Sequence, residues 1–207
     1  MQYFTVKKAA NDEFVEKRSR FIGYITPVQT EEQALRFIKE IKSKHWDATH
    51  NVYAYILRDK NIMRYSDDGE PQGTAGMPVL DVLRKKELCD VAVVVTRYFG
   101  GILLGGGGLV RAYTKGAAIA VEAGEPVCKK ECPLCRIRCD YNFYGKASSA
   151  IADCGGYIDS TDFAADVMVD FHIEEENLGA LTKKITDLSS GGVKIEQTDS
   201  AFFDIKI

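Results

Sequence analysis

The chain has 207 residues, of which 45% are hydrophobic and 28% are charged, a composition typical of a globular protein with one large or two small domains. No run of about 18 apolar residues occurs and the first residues lack a signal-peptide pattern, so we expect no membrane span and a cytoplasmic location with reduced cysteines. The net charge of −3 is uneven, since residues 1–126 carry 18 Lys and Arg against 16 Asp and Glu, and the rest carry nine against 14. A polyanion would therefore bind to the first part of the chain.

The first part alternates predicted strands and helices. Apolar patterning predicts strands over Ser19–Thr26 and Asn51–Leu57, with a helix between them. Thr30 and Gln33 fit a capping box, so this helix should begin just after Thr30. A long loop rich in Asp, Gly and Pro follows the second strand, and a helix is predicted over 79–86.

A buried strand then leads into a glycine-rich turn. The strand is predicted over Val91–Val95, basic and aromatic residues follow, and residues 100–108 contain six glycines. The glycines match neither the dinucleotide-binding pattern nor a P-loop. Glycine permits close approach of the backbone to another surface, and the start of the next helix leaves N–H groups unpaired. The pattern favours an anion-binding or nucleic-acid-binding surface, although tight packing of strand and helix also explains the glycines.

Cationic and aromatic side chains beside these glycines favour the binding interpretation. Arginine and lysine would contact phosphates, and an exposed tyrosine would stack on a base. The residues predicted to form this surface are Arg97, Tyr98, Gly100, Gly101, Arg111 and Lys115.

The long loop contains an acidic signature. Asp67, Asp68 and Glu70 place three carboxylates within four residues, which is a donor set that suits a divalent cation. His50 precedes the loop and could complete an acid–base or metal site. A solvated turn is the alternative, and an acidic side chain could instead pair with Arg97 or Arg111 across the fold.

The composition of the sequence changes near Gly124. Gly124–Pro133 is predicted to be a linker, because it combines Gly, two prolines and mixed charge. Beyond it, the patterns predict the element order β-α-β-β-α-β, which is the ferredoxin-like order. The predicted elements are strands over Leu134–Tyr141, Gly156–Asp162, Ala165–Ile173 and Val193–Ile207, and helices over Phe143–Cys154 and Asn177–Ser189.

Four cysteines lie close together in this second part. Cys128, Cys132 and Cys135 have the spacing of a radical S-adenosylmethionine iron–sulfur motif, and Cys139 follows. However, Cys135 and Cys139 lie on one face of a predicted strand whose other face is polar, so they are predicted to be core residues. We therefore predict no metal and no cofactor.

Three stretches of the first part resemble the YigZ/Impact family. They are SRFIGYITPV over 19–28, HNVYAY over 50–55 with DDGEPQGTAG over 67–76, and the segment 93–113 that contains TRYFGGILLGGGGLVRAY. Together they cover most of 19–124, and their combination is far more specific than a glycine motif. The chain is identified as a bacterial two-domain member by this resemblance.

The resemblance implies an α+β fold with two domains. Residues 1–126 should form an Impact-type N-terminal domain, similar to the second domain of a small-subunit ribosomal protein and to the fourth domain of elongation factor G. Residues 134–207 should form a ferredoxin-like C-terminal domain.

The resemblance also implies a regulator that acts in translation, with RNA, the ribosome or a protein of translation control as its partner. A non-enzymatic role is favoured over two alternatives, a small metal-assisted hydrolase that uses His50 and the acidic loop, and a protein-interaction module without nucleic acid. Besides the surface named above, the signature loop carried over from the family comprises His50, Asp67, Asp68, Gly69, Glu70, Thr74 and Gly76.

Overall fold

A computed structural model describes residues 1–205 and divides them into two compact units. The N-terminal unit contains Tyr3–Cys128, and the C-terminal unit contains Met1–Gln2 and Lys129–Ile205. The last two residues of the predicted final strand and second domain, 206–207, lie outside the described residues. Within residues 1–205, no helix is both long and apolar enough to cross a membrane.

The N-terminal unit is built on an antiparallel sheet whose strands lie in the order β2-β3-β6-β4-β5. Its capping box at Thr30 and Gln33 is present as predicted. The elements in chain order are β1 (Gln2–Val6), β2 (Ala10–Glu16), β3 (Ser19–Pro27), α1 (Glu31–Lys44), β4 (His50–Leu57), β5 (Ile62–Ser66), α2 (Gly76–Lys85), β6 (Val91–Tyr98) and α3 (Gly106–Ala123).

The sheet of the N-terminal unit is covered on both faces. Val93 and Val95 of β6 pack with α2 and α3, whereas Ala92 and Val94 of the same strand pack with α1. A central strand that is buried on both faces has an unbroken apolar sequence. The sequence therefore predicts β6 well, and the sheet fixes the residues at the end of β6 relative to β3 and β4.

The C-terminal unit has helices α4 and α5 on one face of its sheet. Strands β7, β9 and β8 are hydrogen-bonded in that order, and β10 pairs with β7. Cys135 and Cys139 lie in the core against these helices, as predicted. The elements are β7 (Pro126–Cys139), α4 (Tyr141–Asp153), β8 (Tyr157–Phe163), β9 (Val167–His172), α5 (Glu175–Ser189) and β10 (Ile195–Ile205).

Two predictions about organisation are wrong. The predicted linker Gly124–Pro133 is largely strand, since β7 begins at Pro126 and continues to Cys139. The predicted long loop, residues 64–80, begins within β5, and α2 begins at Gly76 rather than at Val79. The domain bounds of 1–126 and 134–207 stay a prediction, and the residues between them lie in β7.

Candidate functional site

The acidic loop and the glycine-rich segment meet at Glu70, whose side chain is 3% exposed. One carboxylate oxygen accepts hydrogen bonds from Arg97 Nη1 at 2.6 Å and from the Tyr113 hydroxyl at 2.7 Å. The other oxygen lies 3.9 Å from His50 Nε2. Of the two arginines that the sequence left open as partners for the acidic loop, Arg97 is the one that pairs with it.

Arg97 is buried, so the exposed position predicted for it is wrong. Its side chain is 6% exposed, and the guanidinium carbon lies 5.6 Å from the centre of the Phe21 ring and 5.4 Å from that of Phe99. The Arg97 Nε atom has no hydrogen-bond partner within the described residues. A buried charge needs a partner to compensate its desolvation, and Glu70 supplies it. Arg97 therefore holds the two loops together and does not face a phosphate.

Burial raises the pKa of the Tyr113 phenol far above its usual value, and the negative charge of Glu70 raises it further. The phenol is consequently protonated at any physiological pH and remains a hydrogen-bond donor. Tyr113 forms a buried cluster with Glu70 and Arg97, although the sequence interpretation did not select it as a site residue. Its place on an apolar helix face gave no signal for this role.

Tyr98 anchors a neighbouring turn and is only half-buried. Its hydroxyl donates to Asp47 Oδ1 at 3.0 Å and lies 2.9 Å from His45 Nδ1, while His45 Nε2 lies 2.7 Å from the Tyr24 hydroxyl. Burial lowers the pKa of His45, and the charge of Lys44 lowers it further, so the imidazole is neutral at pH 7. These contacts give Tyr98 a positioning role, and base stacking on its partly exposed ring stays a prediction.

The carboxylate of Asp67 binds backbone N–H groups at the start of α2. Its Oδ1 accepts hydrogen bonds from the backbone N–H groups of Ala75 and Gly76 at 3.1 and 2.7 Å, and its Oδ2 accepts one from Gly73 at 2.9 Å. A carboxylate at a helix N-terminus satisfies unpaired donors and complements the helix dipole. Asp67 therefore folds the signature loop onto α2.

The carboxylate of Asp68 binds one group from β4 and one from α1. Its two carboxylate oxygens accept from Lys42 Nζ at 2.5 Å and from the backbone N–H of Asn51 at 2.6 Å. Its carbonyl oxygen lies 2.7 Å from His50 Nδ1. His50 is thereby held by the loop on one ring nitrogen and faces Glu70 with the other.

The remaining signature residues also serve the loop. The Thr74 hydroxyl donates to the Pro71 carbonyl at 2.6 Å, and Gly69 adopts a φ of 89° beside His50. In the described part of the chain, no group of three or more His, Cys, Asp and Glu side chains is placed to hold a metal ion. Since all three carboxylates of the loop bind protein groups, the geometry gives no support to a metal-assisted hydrolase at His50.

The exposed cations lie on the other side of the glycine-rich segment. Lys17, Arg111 and Lys115 line a groove of about 170 Å³ between β2 and α3, with the Phe14 ring in its wall. Lys115 Nζ lies 4.3 Å from the centre of that ring. Arg18 is exposed next to Lys17, and among residues 1–205 none of these four cations forms an ion pair. We call Lys17, Arg18, Arg111 and Lys115 the cationic surface.

The hairpin turn of the cationic surface is held in an unusual conformation. Glu16 pairs with Ser19 across the hairpin, and the two turn residues Lys17 and Arg18 have φ values of 45° and 66°. Such turns usually contain Asn and Gly, because other residues are strained at positive φ. Gly100 packs against this turn so closely that a Cβ atom there would lie 2.0 Å from the Arg18 carbonyl carbon. The glycine-rich segment thus positions two cations that the sequence interpretation missed, because β2 was not predicted.

The start of α3 also lies at this surface. Gly105 is its N-cap with a φ of 73°, no side chain caps the helix, and its first turn contains no acidic residue. Glycines 105–107 are exposed, so their backbone is open to solvent. Unpaired N–H groups at a helix start favour a negative charge, as the nearby cations do.

The comparisons with known families match both units. The Impact N-terminal domain matches residues 17–121, which is just over half of the chain. The chain belongs to the IMPACT family. A domain of unknown function, DUF1949, matches residues 137–191 of this IMPACT family protein. The predicted resemblance is therefore confirmed.

Relatives of this IMPACT family protein cover most of its length. It is 38% identical to "IMPACT family member YvyE" of Bacillus subtilis, with 98% of this chain and 94% of that protein covered. It is 32% identical to "IMPACT family member YigZ" of Escherichia coli, with 86% and 89% covered. The first part is also 36% identical to "Protein IMPACT" of Xenopus laevis, where the match covers 44% of this chain and 30% of that protein.

A solved structure supports the mixed α+β architecture. A protein titled "Crystal structure of an hypothetical protein" has a TM-score of 0.60 and 29% identity to the chain. The match covers 96% of this chain and 98% of that one.

Proposed function

We propose that this IMPACT family protein is a non-enzymatic, cytoplasmic factor that acts in translation and binds RNA, free or in the ribosome, through its cationic surface. Membership of a family that includes the eukaryotic IMPACT proteins supports a role in translation control. The strand order β10-β7-β9-β8 and the order of elements support a ferredoxin-like fold for the C-terminal unit. The likeness of the N-terminal unit to domains of a ribosomal protein and elongation factor G stays part of this proposal.

The cationic surface is the observation that carries the proposal. Some exposed cations of this unit pair with a carboxylate, as Arg20 does with Glu13 on the next strand, with 2.6 Å between Nη2 and Oε2. Lys17, Arg18, Arg111 and Lys115 have no such partner within the described residues. Glu16 also lines the groove, so the four cations outnumber its carboxylate. With an uncapped helix start beside them, they form a local positive potential on a chain whose net charge is −3. A phosphate backbone is the polyanion that matches such a surface.

The test compares two identical substitutions on helices of the same unit. Lys115→Glu removes a charge from the cationic surface, and Lys85→Glu on α2 makes the same change to the net charge. Lys86, next to Lys85, pairs with Glu122 at the far end of α3 from Arg111. We expect Lys115→Glu to weaken binding of labelled RNA about tenfold and Lys85→Glu to leave it nearly unchanged.

Fluorescence anisotropy with short single-stranded and duplex RNAs measures this difference, and circular dichroism checks that both variants fold. Equal effects of the two substitutions, or no binding by the unaltered protein at low salt, would overturn the proposal. Arg97→Glu is unsuitable as a test of binding, because it would bury a second carboxylate against Glu70.

A further inference from the structure

We propose that Trp46 is a stacking site for an unpaired base, so that the RNA bound by this protein is single-stranded where it crosses the end of α1. This inference rests on the proposed function and names the ligand class more narrowly. It concerns a residue that neither the sequence motifs nor the cationic surface include.

Trp46 is the most exposed of the large hydrophobic side chains in the described chain, at 84%, and it is the single tryptophan of the sequence. It follows the last turn of α1, and no other ring or cation among residues 1–205 lies over its indole. Both faces of a large aromatic ring are thus in water. Tryptophan is usually well buried, so this exposure needs a reason.

Hydrogen bonds hold the turn that carries Trp46. The Ala48 N–H donates to the His45 carbonyl at 3.1 Å, and Asn51 Nδ2 donates to the same carbonyl at 3.2 Å. His45 and Asp47 on either side are both fixed by the Tyr98 hydroxyl. A side chain displayed by a preorganised turn loses little backbone entropy on binding.

The turn joins the cationic surface through the glycine-rich segment. The Thr49 N–H donates to the Arg97 carbonyl at 2.9 Å, and Thr49 Oγ1 accepts from the Phe99 N–H at 3.0 Å. Phe99 is 45% exposed, and the next residue, Gly100, packs against Arg18. The surface therefore runs from the groove past Arg18 and Phe99 to the turn of Trp46.

The surroundings of Trp46 suit a base better than a protein. Lys44, Asp47 and Thr49 near it in the chain are all exposed and polar. A tryptophan at the centre of a protein interface is usually surrounded by further apolar contact residues. Exposed aromatic rings that accompany a positively charged groove are the arrangement with which proteins bind bases of single strands. Bases inside a duplex are stacked on each other and could not reach the ring.

The single tryptophan makes the test direct. We expect a short unstructured RNA to quench the fluorescence of the full-length protein, and a duplex of the same length to bind without comparable quenching. Trp46→Ala should weaken binding of the single strand about tenfold and leave duplex binding unchanged, whereas Trp46→Phe should retain most of the affinity. Leu35→Ala on α1, where the side chain is 50% exposed, is the matched control.

The outcomes separate this inference from the proposed function. If Lys115→Glu weakens binding but RNA does not quench Trp46 and Trp46→Ala binds normally, the inference is overturned and the proposed function stands. Equal quenching by single strand and duplex would also overturn it. If no RNA binds to the unaltered protein, the proposed function fails first. Loss of a co-purifying protein from Trp46→Ala, with RNA binding intact, would assign the residue to a protein interface instead.

Discussion

Glu70 joins three elements because donors from β6 and α3 converge on one carboxylate that β4 also approaches through His50. Glu70→Ala would leave the Arg97 guanidinium buried without its counter-charge. Losing one member of a buried pair costs about 3–5 kcal/mol, so we expect the free energy of unfolding of the N-terminal unit to fall by that amount. Urea denaturation followed by circular dichroism measures the change.

The matched control for this prediction removes both charges. Glu70→Leu combined with Arg97→Met should be less destabilising than Glu70→Ala, because no buried charge is left unpaired. A double variant as unstable as the single one would show that packing, rather than charge compensation, dominates the cluster.

The reactivity of the Cys135 thiol should depend on pH. Burial raises the pKa of its thiol to about 11, and the charge of Glu175 adds to the effect. We expect iodoacetamide to label Cys135 slowly at pH 10 in the native protein, and the half-buried Cys154 faster, as measured by mass spectrometry of the labelled peptides.

The same pKa shift changes stability with a defined sign. Below the unfolded pKa of about 8.5, the thiol is protonated in both the folded and the unfolded protein, so its burial does not lower the free energy of unfolding. The unfolded thiol ionises first as the pH rises, so the free energy of unfolding falls between that value and about 11. Labelling of Cys135 as fast as that of Cys154 at pH 10 would contradict the buried position.

At the scale of elements, Gly100 holds the β2–β3 hairpin against the glycine-rich segment. In Gly100→Ala, the new methyl group would meet the Arg18 backbone at 2.0 Å, so one of the two segments has to move. We expect a lower melting temperature and weaker RNA binding, because Lys17 and Arg18 lose their positions.

Gly107→Ala is the matched control for that prediction. A Cβ atom at this position in α3 would have Arg111 Nη1, a flexible group, as its nearest neighbour at 3.7 Å. Alanine is favoured over glycine in helices by about 1 kcal/mol, so this variant should be as stable as the unaltered protein or more so. Calorimetry compares the two, and equal effects would show that the approach at Gly100 is not tight.

The elements with a local signal could be predicted from the sequence. Thr30 and Gln33 cap α1 through side chains three residues apart, and the apolar run of β6 reflects burial on both faces. Strand β2 (ANDEFVE) gave no such signal, because it lies at the sheet edge and most of its side chains face water. β7 was missed at its start, since Pro126 and a charged stretch resemble a linker.

The candidate site could be predicted only in part, for a related reason. The sequence showed that the acidic loop and the TRYFGG segment carry unusual residues, and the structure places them together. It could not show that Arg97 is buried, because its partner Glu70 is 27 residues away and on another element. Lys17, Arg18 and Trp46 were missed since their importance depends on exposure and on which loops are neighbours.

At the scale of the whole molecule, charge is divided between the units. The part of the chain after residue 126 carries nine Lys and Arg against 14 Asp and Glu, and the whole chain has a net charge of −3, so the overall charge would not attract RNA. The proposed binding would therefore depend on a few local contacts rather than on the overall field, and its dependence on salt should be moderate.

The salt dependence of binding gives a quantitative prediction. Each phosphate contact with single-stranded RNA contributes about −0.7 to the slope of log K against log salt, so contacts from all of Lys17, Arg18, Arg111 and Lys115 give a slope of about −3. Lys115→Glu should reduce it to about −2, because one counterion fewer is released, whereas Lys85→Glu should leave it unchanged. Anisotropy titrations over a range of potassium chloride concentrations measure the slope. A slope near zero would mean that stacking and hydrogen bonds carry the affinity, and a slope that Lys115→Glu leaves intact would place the phosphate contacts elsewhere on the protein.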